Sequence, residues 1–301
     1  MGTKRMLITG ASGFTGQHAC EYFKTMGMEV YGVVNNGKIE TKDVHEIRCD
    51  LSDKEAIETV IKDIKPHYLL HLAGQNEVKA SWENPIESFE INTFSTLYLL
   101  EALRKHHPAT KIVIVGSALQ SDLSKLHALP HPYSLTKTMQ IVISRSWEKL
   151  FSLDITIVKP SNLIGPGRSN GVCGLFAEKI AKMEQGNSKE PLQVSNPNAE
   201  RDFLDVRDAV DAYGFLFEKG SKGEVYDIAS GNSRTLKELI DTLKQLTPIV
   251  VQVDYQDNSK KGDPVRINTK KISELGWKPR ISFNDSVQDS LNFFRSEQLK
   301  R

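Results

Sequence analysis

The sequence predicts an α/β fold, in which a doubly wound parallel sheet carries helices on both faces and is joined to a smaller mixed α/β lobe. Two observations support this prediction. Short runs of almost only apolar residues, for example 68–73 and 111–116, are typical of strands buried on both faces of a sheet. These runs alternate with longer segments of helical pattern, and such alternation favours parallel strands joined by crossover helices.

The predicted elements follow one another regularly through the first half of the chain. A strand at 5–9 leads into a glycine-rich turn, a helix at 18–26 and a second strand at 29–34. The next elements are a helix at 53–65, a strand at 68–73, a helix at 85–105, a strand at 111–116, a helix at 136–151 and a strand at 154–158. Beyond Lys159 strands become sparse, so we expect the smaller lobe to begin there, with one return to the sheet at 225–228.

Composition and charge limit the classes of function. The 301 residues are 39% hydrophobic and 26% charged, the balance of a globular protein with a sizeable core. Lys and Arg total 39 against 38 for Asp and Glu, so no global basic field attracts nucleic acid or an anionic membrane. The three cysteines form no CxxC pair, and the N-terminal apolar stretch is too short for a secretion signal. We therefore expect a cytoplasmic protein without a metal site.

Three glycines mark the turn after the first strand. Gly10, Gly13 and Gly16 have GxxGxxG spacing between a strand and a helix. Side chains there would clash in the tight turn, keep the backbone away from a diphosphate, or push the helix off the sheet. The helix start can then hold the anion. This pattern predicts a Rossmann-type dinucleotide-binding sheet. Its predicted cofactor-binding residues are Gly10, Ser12, Gly13, Phe14, Thr15 and Gly16.

The end of the second strand indicates which dinucleotide is bound. An acid there would bind the 2′-hydroxyl of NAD and repel the 2′-phosphate of NADP. The strand instead runs into Asn35, Asn36 and Lys38, which can donate hydrogen bonds or neutralise a phosphate. The sequence therefore favours NADP(H), with NAD(H) as the alternative. The two asparagines could also simply form a turn.

A tyrosine and a lysine four residues apart are the candidate catalytic group. Tyr133 and Lys137 would lie on one helix face and point into one cleft. We expect the ammonium, together with the positive nicotinamide ring of an oxidised cofactor, to lower the pKa of the phenol, so that Tyr133 can exchange a proton with a hydroxyl as hydride moves. Ser117, after the preceding strand, would steady charge on the reacting oxygen. His127 and His131 flank this segment without a partner motif and are expected at the surface.

These motifs resemble those of the short-chain dehydrogenases in their extended branch, the NAD-dependent epimerase/dehydratase family. The resemblance extends over nearly the whole chain. Besides the glycine turn and YxxxK, it rests on HLAGQ at 71–75, SWENP at 81–85, KPSNLIGPG at 159–167, RDFLDVRD at 201–208 and KGDP at 261–264. Within the branch, four of these segments, HLAGQ, SWENP, the GPG at 165–167 and RDFLDVRD, look closest to GDP-4-keto-6-deoxymannose reductases.

The resemblance implies a role for each matching residue. Cofactor contacts are implied for Asn35, Asn36, Asp50, Leu51, Leu72, Ala73, Gly74, Gln75, Tyr133, Lys137 and Pro160. Sugar-nucleotide contacts are implied for Gln75, Ser117, Asn162, Val172, Arg201 and Lys261, with Arg201 at the diphosphate. Asp50 could equally be a loop aspartate of the N-cap kind. Lys261 replaces the arginine of relatives, which weakens bidentate phosphate binding there. Relatives often dimerise, so a homodimer through the helices at 85–105 and 136–151 is also implied.

Two domains follow from these assignments. Residues 1–161, with about 205–232, would bind the dinucleotide, while 162–204 and 233–301 would form the sugar-nucleotide lobe.

The residues after Ser117 separate the possible reactions. Sugar-nucleotide 4,6-dehydratases carry acids there, whereas this chain has Ala118, Leu119 and Gln120, so that elimination lacks a general acid–base pair. The resemblance then implies an NADPH-dependent reductase of the C4 ketone of a nucleoside-diphosphate 4-keto-6-deoxy sugar. An NAD-dependent sugar-nucleotide 4-epimerase is the alternative. A non-catalytic dinucleotide sensor is a third reading, although such proteins commonly lose the tyrosine or lysine that this chain keeps.

Overall fold

Strands and helices alternate along the chain in a computed structural model that describes residues 2–118, 129–188, 190–256 and 265–299. The strands of the described residues are β1 (Arg5–Thr9), β2 (Glu29–Val34), β3 (His45–Arg48), β4 (Tyr68–His71), β5 (Lys111–Val115), β6 (Asp154–Pro160), β7 (Asn162–Ile164), β8 (Leu192–Val194), β9 (Glu200–Asp205), β10 (Val225–Ile228), β11 (Ser233–Thr235) and β12 (Val253–Tyr255). Their α-helices are α1 (Phe14–Thr25), α2 (Lys54–Ile64), α3 (Val78–Glu83), α4 (Pro85–Phe89), α5 (Ser95–His106), α6 (Pro132–Phe151), α7 (Val172–Glu184), α8 (Val206–Lys219), α9 (Leu236–Gln245), α10 (Lys270–Glu274) and α11 (Phe283–Leu299). A π-helical turn, Glu90–Phe94, joins α4 to α5.

Seven strands form one mostly parallel sheet in the order β10-β6-β5-β4-β1-β2-β3. Met6 of the central strand β1 lies opposite Val30 on one side and Tyr68 on the other, with all three strands parallel. Parallel pairing places the carboxyl ends of β1, β2, β4 and β5 at one edge, where ligands of such sheets bind. The predicted Rossmann-type α/β fold with a smaller mixed lobe is confirmed.

Helix α2 shows how the sequence builds the layers around this sheet. The Asp53 side chain caps its start by accepting from the backbone N–H groups of Glu55 and Ala56, at 2.9 and 3.1 Å. Ile57 and Ile61, four residues apart, are buried in the core between helix and sheet. Each such side chain contributes about 1.5–3 kcal/mol through the apolar surface it removes from water.

Four elements of the structure differ from the prediction for identifiable reasons. Strand β3 was not predicted because His45–Arg48 is polar and mostly exposed at the sheet edge. The helix predicted at 85–105 is interrupted by the π-helical turn, which the helical pattern did not reveal. Helices α1 and α6 begin four residues earlier than predicted, at Phe14 and Pro132, because Gly13 and His131 serve as their N-cap residues.

The chain divides into two compact units. The first comprises the residues through Lys159 together with Val210–Tyr226, and the second comprises Pro160–Ala209 and the residues from Asp227 onward. In the second unit β9 pairs parallel with β7 and antiparallel with β11, and β8 pairs parallel with β12. Its core includes Ile180, Phe203 and Leu291. None of the helices in the described part of the chain combines the length and apolar character that a bilayer span requires.

Candidate active site

Backbone contacts shape the glycine turn after β1. Gly10 has a φ of +67°, and a Cβ there would lie 2.8 Å from the Ala73 backbone N. A Cβ on Gly16 would overlap the Gly10 carbonyl oxygen and lie 2.7 Å from the Ala11 Cα, so the fold itself requires glycine at both positions. A Cβ on Gly13 would meet just the Gly10 carbonyl oxygen among the described residues, at 3.3 Å. No side chain caps α1, so its first N–H groups are available to an anion.

The loop after β2 packs against this turn. Asn35 and Asn36 are exposed, and a Cβ on Gly37 would collide with the Ser12 side chain. The Gln17 Nε2 of α1 donates to the Lys38 carbonyl oxygen at 2.8 Å. The structure therefore brings the predicted cofactor residues of the two loops together, with no carboxylate at positions 35–38.

Four more predicted cofactor residues surround these loops. Phe14 and Thr15 form the first turn of α1, and Leu51 packs against the core of the first unit. The Asp50 Oδ1 accepts from the backbone N and the Oγ of Ser52, at 2.9 and 2.8 Å. Asp50 thus organises its own loop, and its contact with an adenine remains a prediction.

Helix α6 and strand β5 bring the three predicted catalytic residues together. Tyr133 and Lys137, one turn apart on α6, are 6% and 5% exposed. The Tyr133 phenol shares a side-chain hydrogen bond with Ser117, which follows β5. The Lys137 Nζ donates to the carbonyl oxygen of Val115, the last residue of β5, at 2.9 Å. The phenol and the ammonium are therefore fixed at the sheet edge that also carries the glycine turn.

Burial sets the protonation of this group. It lowers the pKa of Lys137 to about 7. It also raises the pKa of Tyr133, and the hydrogen bond with Ser117 opposes that rise in part. The expected lowering of the pKa of Tyr133 is therefore not found in the cofactor-free protein, because desolvation of the buried phenol is the largest cause of its shift. At neutral pH Tyr133 is a protonated phenol, able to donate its proton.

Asn92, to which the sequence analysis assigned no role, connects the parts of the site. Its Oδ1 accepts from the Gln75 backbone N at 2.8 Å. Its Nδ2 donates to the Gln75 carbonyl oxygen and to the Thr136 Oγ1, each at 3.0 Å. A Cβ on Gly74 would lie 2.8 Å from the Asn92 Oδ1 and 3.8 Å from the Lys137 Nζ, so glycine keeps this loop close to the ammonium. The π-helical turn containing Asn92 is a feature that often marks functional sites.

The loop after β4 holds the remaining predicted cofactor residues of the first unit, Leu72, Ala73, Gly74 and Gln75. Buried His71 anchors its start, since its Nδ1 and the Thr9 Oγ1 are 2.7 Å apart. Burial, and then the Lys137 charge, lower the pKa of His71 to about 3, so the ring is neutral. The Gln75 Oε1 is buried and has no hydrogen-bond partner among the described residues. It is therefore an acceptor available to a ligand.

His131 has a structural role that its isolated position in the sequence did not indicate. Its Nδ1 accepts from the Ser134 backbone N at 3.0 Å and so caps α6. Its ring stacks with that of Tyr133, with centroids 5.9 Å apart. Burial lowers the pKa of His131, which keeps the Nδ1 free to accept. The expectation of a plain surface histidine is corrected for His131, while His127 lies outside the described residues. The sequence signal was its place directly before Pro132, the first residue of the helix.

The second unit contains the other predicted binding residues. They are Pro160 at the end of β6, Asn162 at the start of β7, Val172 at the start of α7 and Arg201 on β9. The Asn162 Nδ2 donates to the Asp202 carbonyl oxygen at 3.0 Å, a contact that joins β7 to β9. Arg201 is exposed and donates to the Glu200 carbonyl oxygen at 2.8 Å. Lys261 lies outside the described residues. Their contacts with a sugar nucleotide remain predictions.

Comparison with protein families identifies the group to which the chain is related. The model of the NAD dependent epimerase/dehydratase family matches residues 6–229, which include the glycine turn, Ser117, Tyr133 and Lys137. The chain belongs to this family. The resemblance inferred from the motifs is thereby confirmed.

Individual epimerase/dehydratase relatives match this chain over nearly its full length. The GDP-6-deoxy-D-mannose reductase of Pseudomonas aeruginosa is 27% identical, over 98% of each chain. A putative UDP-glucose 4-epimerase of Methanocaldococcus jannaschii is also 27% identical, over 97% of this chain and 98% of the relative. The structure of RMD from Pseudomonas aeruginosa complexed with NADPH has a TM-score of 0.82 at 26% identity, over 98% of this chain and 100% of that one. A relative named as a reductase and one named as a putative epimerase thus have the same sequence identity to this chain.

In this member of the epimerase/dehydratase family, Lys137 is expected to make the stability of the cofactor-free protein depend on pH. Its pKa is about 7 in the folded state, against 10.5 for an unperturbed lysine. Below pH 7 Lys137 is charged in both the folded and the unfolded state, so the cost of burying the charge lowers the free energy of unfolding in full. Above pH 7 the folded state releases the proton first, so the free energy of unfolding rises by up to about 1.4 kcal/mol per pH unit until about pH 10.5.

Denaturant unfolding of the wild type and of Lys137→Met tests this expectation. We expect the free energy of unfolding of the wild type, minus that of the variant, to increase by about 2 kcal/mol between pH 7 and pH 9. The difference cancels the titration of all other groups that the two proteins share. A difference that stays constant over this range would contradict a buried, titrating Lys137.

Proposed function

We propose that this protein is an NADPH-dependent reductase of the C4 ketone of a nucleoside-diphosphate 4-keto-6-deoxy sugar. The observation that carries the proposal is the buried, protonated Tyr133 phenol, hydrogen-bonded to Ser117 and one helical turn from Lys137. Reduction of a ketone requires a proton donor at the carbonyl oxygen. A neutral phenol at the edge of the sheet that carries the glycine turn supplies that donor.

The described residues fit a bound dinucleotide. The uncapped start of α1 and the absence of a side chain at Gly13 suit the diphosphate. The Gln75 Oε1, buried without a partner among the described residues, can accept a hydrogen bond from the ligand. The acid-free loop at Asn35 and Asn36 favours NADPH over NADH, and the similar structure of RMD was obtained with NADPH. NAD(H) remains the alternative cofactor. When bound, NADPH supplies the hydride.

The side chains of the site handle the proton and the charge. Tyr133 donates its phenolic proton to the ketone oxygen as hydride reaches C4, which gives an alcohol and leaves a phenolate. The Lys137 ammonium stabilises that phenolate, whose formation burial alone would oppose. Ser117, already hydrogen-bonded to the phenol, holds the reacting oxygen and stabilises the negative charge that develops on it.

Two related reactions are alternatives to this proposal. A 4,6-dehydratase needs acidic residues after Ser117, where the chain has Ala118, Leu119 and Gln120. A sugar-nucleotide 4-epimerase uses the same serine, tyrosine and lysine, and the putative UDP-glucose 4-epimerase of Methanocaldococcus jannaschii is as similar in sequence as the reductase. The epimerase is therefore the second candidate. It would retain NAD tightly and return the hydride to the other face of the ketone.

Purified protein and a panel of 4-keto-6-deoxy sugars linked to GDP, dTDP and UDP test the proposal. We expect stoichiometric oxidation of NADPH with at least one member, and slower oxidation of NADH. Release of tightly bound NAD on denaturation of the purified protein, together with interconversion of 4-epimers, would favour the epimerase. No consumption of either cofactor with any ketone would contradict the reductase.

We also propose that the protein forms a homodimer through α3–α6. Apolar side chains are exposed on these helices, including Trp82 and Ile86 at 63% and 71%, and Leu150 at 69%. A groove of about 550 Å³ is lined by Ser52, Pro85, Ile86, Phe89, Glu90, Phe94 and Tyr98. A second copy of the chain would remove this surface from water.

Replacing Ile86 with glutamate is expected to shift the protein from dimer to monomer in sedimentation velocity, because a charge at the interface must be desolvated without a partner. Met26→Glu is the matched control. Met26 is an apolar side chain that is likewise exposed, at 58%, but it lies at the end of α1, outside the proposed interface. A wild-type protein that sediments as a monomer at micromolar concentration would contradict the proposal.

A further inference from the structure

Two arginines lie side by side on the small sheet of the second unit. Strands β9 and β11 are antiparallel, and their register places Arg234 directly opposite Arg201. Residues directly opposite in an antiparallel pair share one face of the sheet, with Cβ atoms about 4.5–5.5 Å apart. Like charges in this arrangement repel each other and destabilise the pair. The juxtaposition therefore costs stability unless an anion binds both groups.

The acids of the same strands are already engaged. Asp202 accepts hydrogen bonds from the backbone N–H groups of Ser230, Gly231 and Asn232, at 2.9, 2.8 and 3.1 Å. Glu200 accepts a hydrogen bond from the Ser233 hydroxyl. Asp202 and Glu200 alternate with Arg201 along β9 and so face the opposite side of the sheet. Within the described ranges, neither Arg201 nor Arg234 has a carboxylate within ion-pair distance.

Aromatic rings hold Arg234 on the face that Arg201 shares. Its guanidinium carbon lies 4.4 Å from the centroid of the Phe283 ring. That ring lies 5.8 Å from the ring of Phe203, which is two residues after Arg201 and therefore on the same face. Stacking on an aromatic face orients a guanidinium while leaving its edge N–H groups free to donate. Arg201 is exposed, and its described hydrogen bond is to a neighbouring carbonyl oxygen.

The family resemblance already implies that Arg201 binds the diphosphate of a nucleoside-diphosphate ligand. We infer that Arg234 is a second cation for that diphosphate, placed beside Arg201 by the strand register. The choice of ligand rests on the proposed function. Each guanidinium can donate a pair of N–H groups to phosphoryl oxygens. A diphosphate presents two adjacent phosphoryl groups, and its charge turns the repulsion between the arginines into attraction. A monophosphate would satisfy fewer of these donors.

Isothermal titration of the full-length protein with GDP, UDP and inorganic pyrophosphate tests the inference without any turnover. We expect Arg234→Gln to weaken binding of the best-bound diphosphate by about 10- to 100-fold, and binding of the corresponding monophosphate by less. Lys182→Gln is the control for loss of one positive charge in the same unit, because Lys182 pairs with Glu178 on α7. It should leave these affinities unchanged.

Arg234→Lys tests whether the positive charge at this position is enough for binding. It keeps the positive charge but loses the planar stacking on Phe283, so we expect an intermediate affinity and a thermal midpoint close to that of the wild type. An Arg234→Gln protein that unfolds at the wild-type temperature and binds every diphosphate with wild-type affinity would overturn the inference. So would a wild-type protein that binds none of the diphosphates.

The same titrations distinguish this inference from the proposed function. Suppose that Arg234→Gln weakens diphosphate binding while the wild-type protein reduces no 4-keto sugar nucleotide. The proposed reaction is then wrong, but the inference that Arg234 binds the diphosphate is supported. If Arg234→Gln reduces ketones with the kcat and KM of the wild type, the proposed reaction is supported and the inference that Arg234 binds the diphosphate is wrong.

Discussion

Replacing Tyr133 with phenylalanine is expected to lower kcat by about 10²- to 10⁴-fold, the range that loss of a general acid produces. The substitution removes the hydroxyl that bonds Ser117 and keeps the ring that stacks with His131. The position of α6 and the Lys137 contact with the Val115 carbonyl oxygen should therefore persist. We expect an unchanged dissociation constant for NADPH, measured by fluorescence titration, alongside the loss of steady-state turnover.

A second buried tyrosine provides the matched control for this variant. Tyr213 is fully buried, and its hydroxyl has no hydrogen-bond partner among the described residues. Tyr213→Phe removes the same atom from the same unit. It should leave turnover unchanged and should not lower the free energy of unfolding, because the hydroxyl makes no hydrogen bond to a described residue. Wild-type turnover by Tyr133→Phe would contradict its assignment as the acid and would favour the non-catalytic sensor.

Replacing Gly16 with alanine is expected to destabilise the fold by about 3 kcal/mol or more, the upper range for overpacking a tight site. The new Cβ would overlap the Gly10 carbonyl oxygen and lie 2.7 and 2.8 Å from the Cα and C atoms of Ala11. These are backbone atoms of the turn itself, so no side-chain rotation can relieve the contact. Denaturant unfolding of the cofactor-free protein measures the effect directly.

Gly13→Ala is the informative partner of that variant. Its Cβ would meet the Gly10 carbonyl oxygen at 3.3 Å and, among the described residues, no other atom within 4 Å. We expect the free energy of unfolding to fall by about 1 kcal/mol, well short of the loss in Gly16→Ala, because alanine is a poorer N-cap residue than glycine. NADPH affinity should nevertheless fall at least about tenfold, because the methyl group fills the space that the diphosphate needs. Equal NADPH affinity in Gly13→Ala and the wild type would contradict a diphosphate at this turn.

The parts of the site that could be predicted are those with a local signature. Gly10, Gly13 and Gly16 are recognisable because the backbone restrictions of a turn act on neighbouring residues. The Tyr133 and Lys137 pair is recognisable because helical spacing places residues four apart on one face. Buried strands such as β4 and β5 are apolar throughout and are therefore visible as well.

The remaining parts depend on contacts between distant segments. The Asn92 side chain joins residues 17 and 44 positions away, and nothing in the local pattern shows that a π-helical turn presents it to them. The pKa of Tyr133 was predicted in the wrong direction because proximity to Lys137 can be inferred from spacing, whereas burial of the phenol cannot. The pairing of Arg201 with Arg234 likewise follows from strand register, which two short polar strands do not reveal.

A single-turnover reaction with deuterated cofactor tests the proposed reduction most directly. The protein is mixed with NADPH carrying deuterium at both positions of the nicotinamide C4 and with the 4-keto-6-deoxy sugar nucleotide that supports turnover. The account predicts one deuterium at C4 of the sugar in the released product, with one equivalent of NADP⁺ formed, and the same transfer slowed by about 10²- to 10⁴-fold in Tyr133→Phe. A product without deuterium at C4, or label that returns to a tightly bound cofactor, would contradict it.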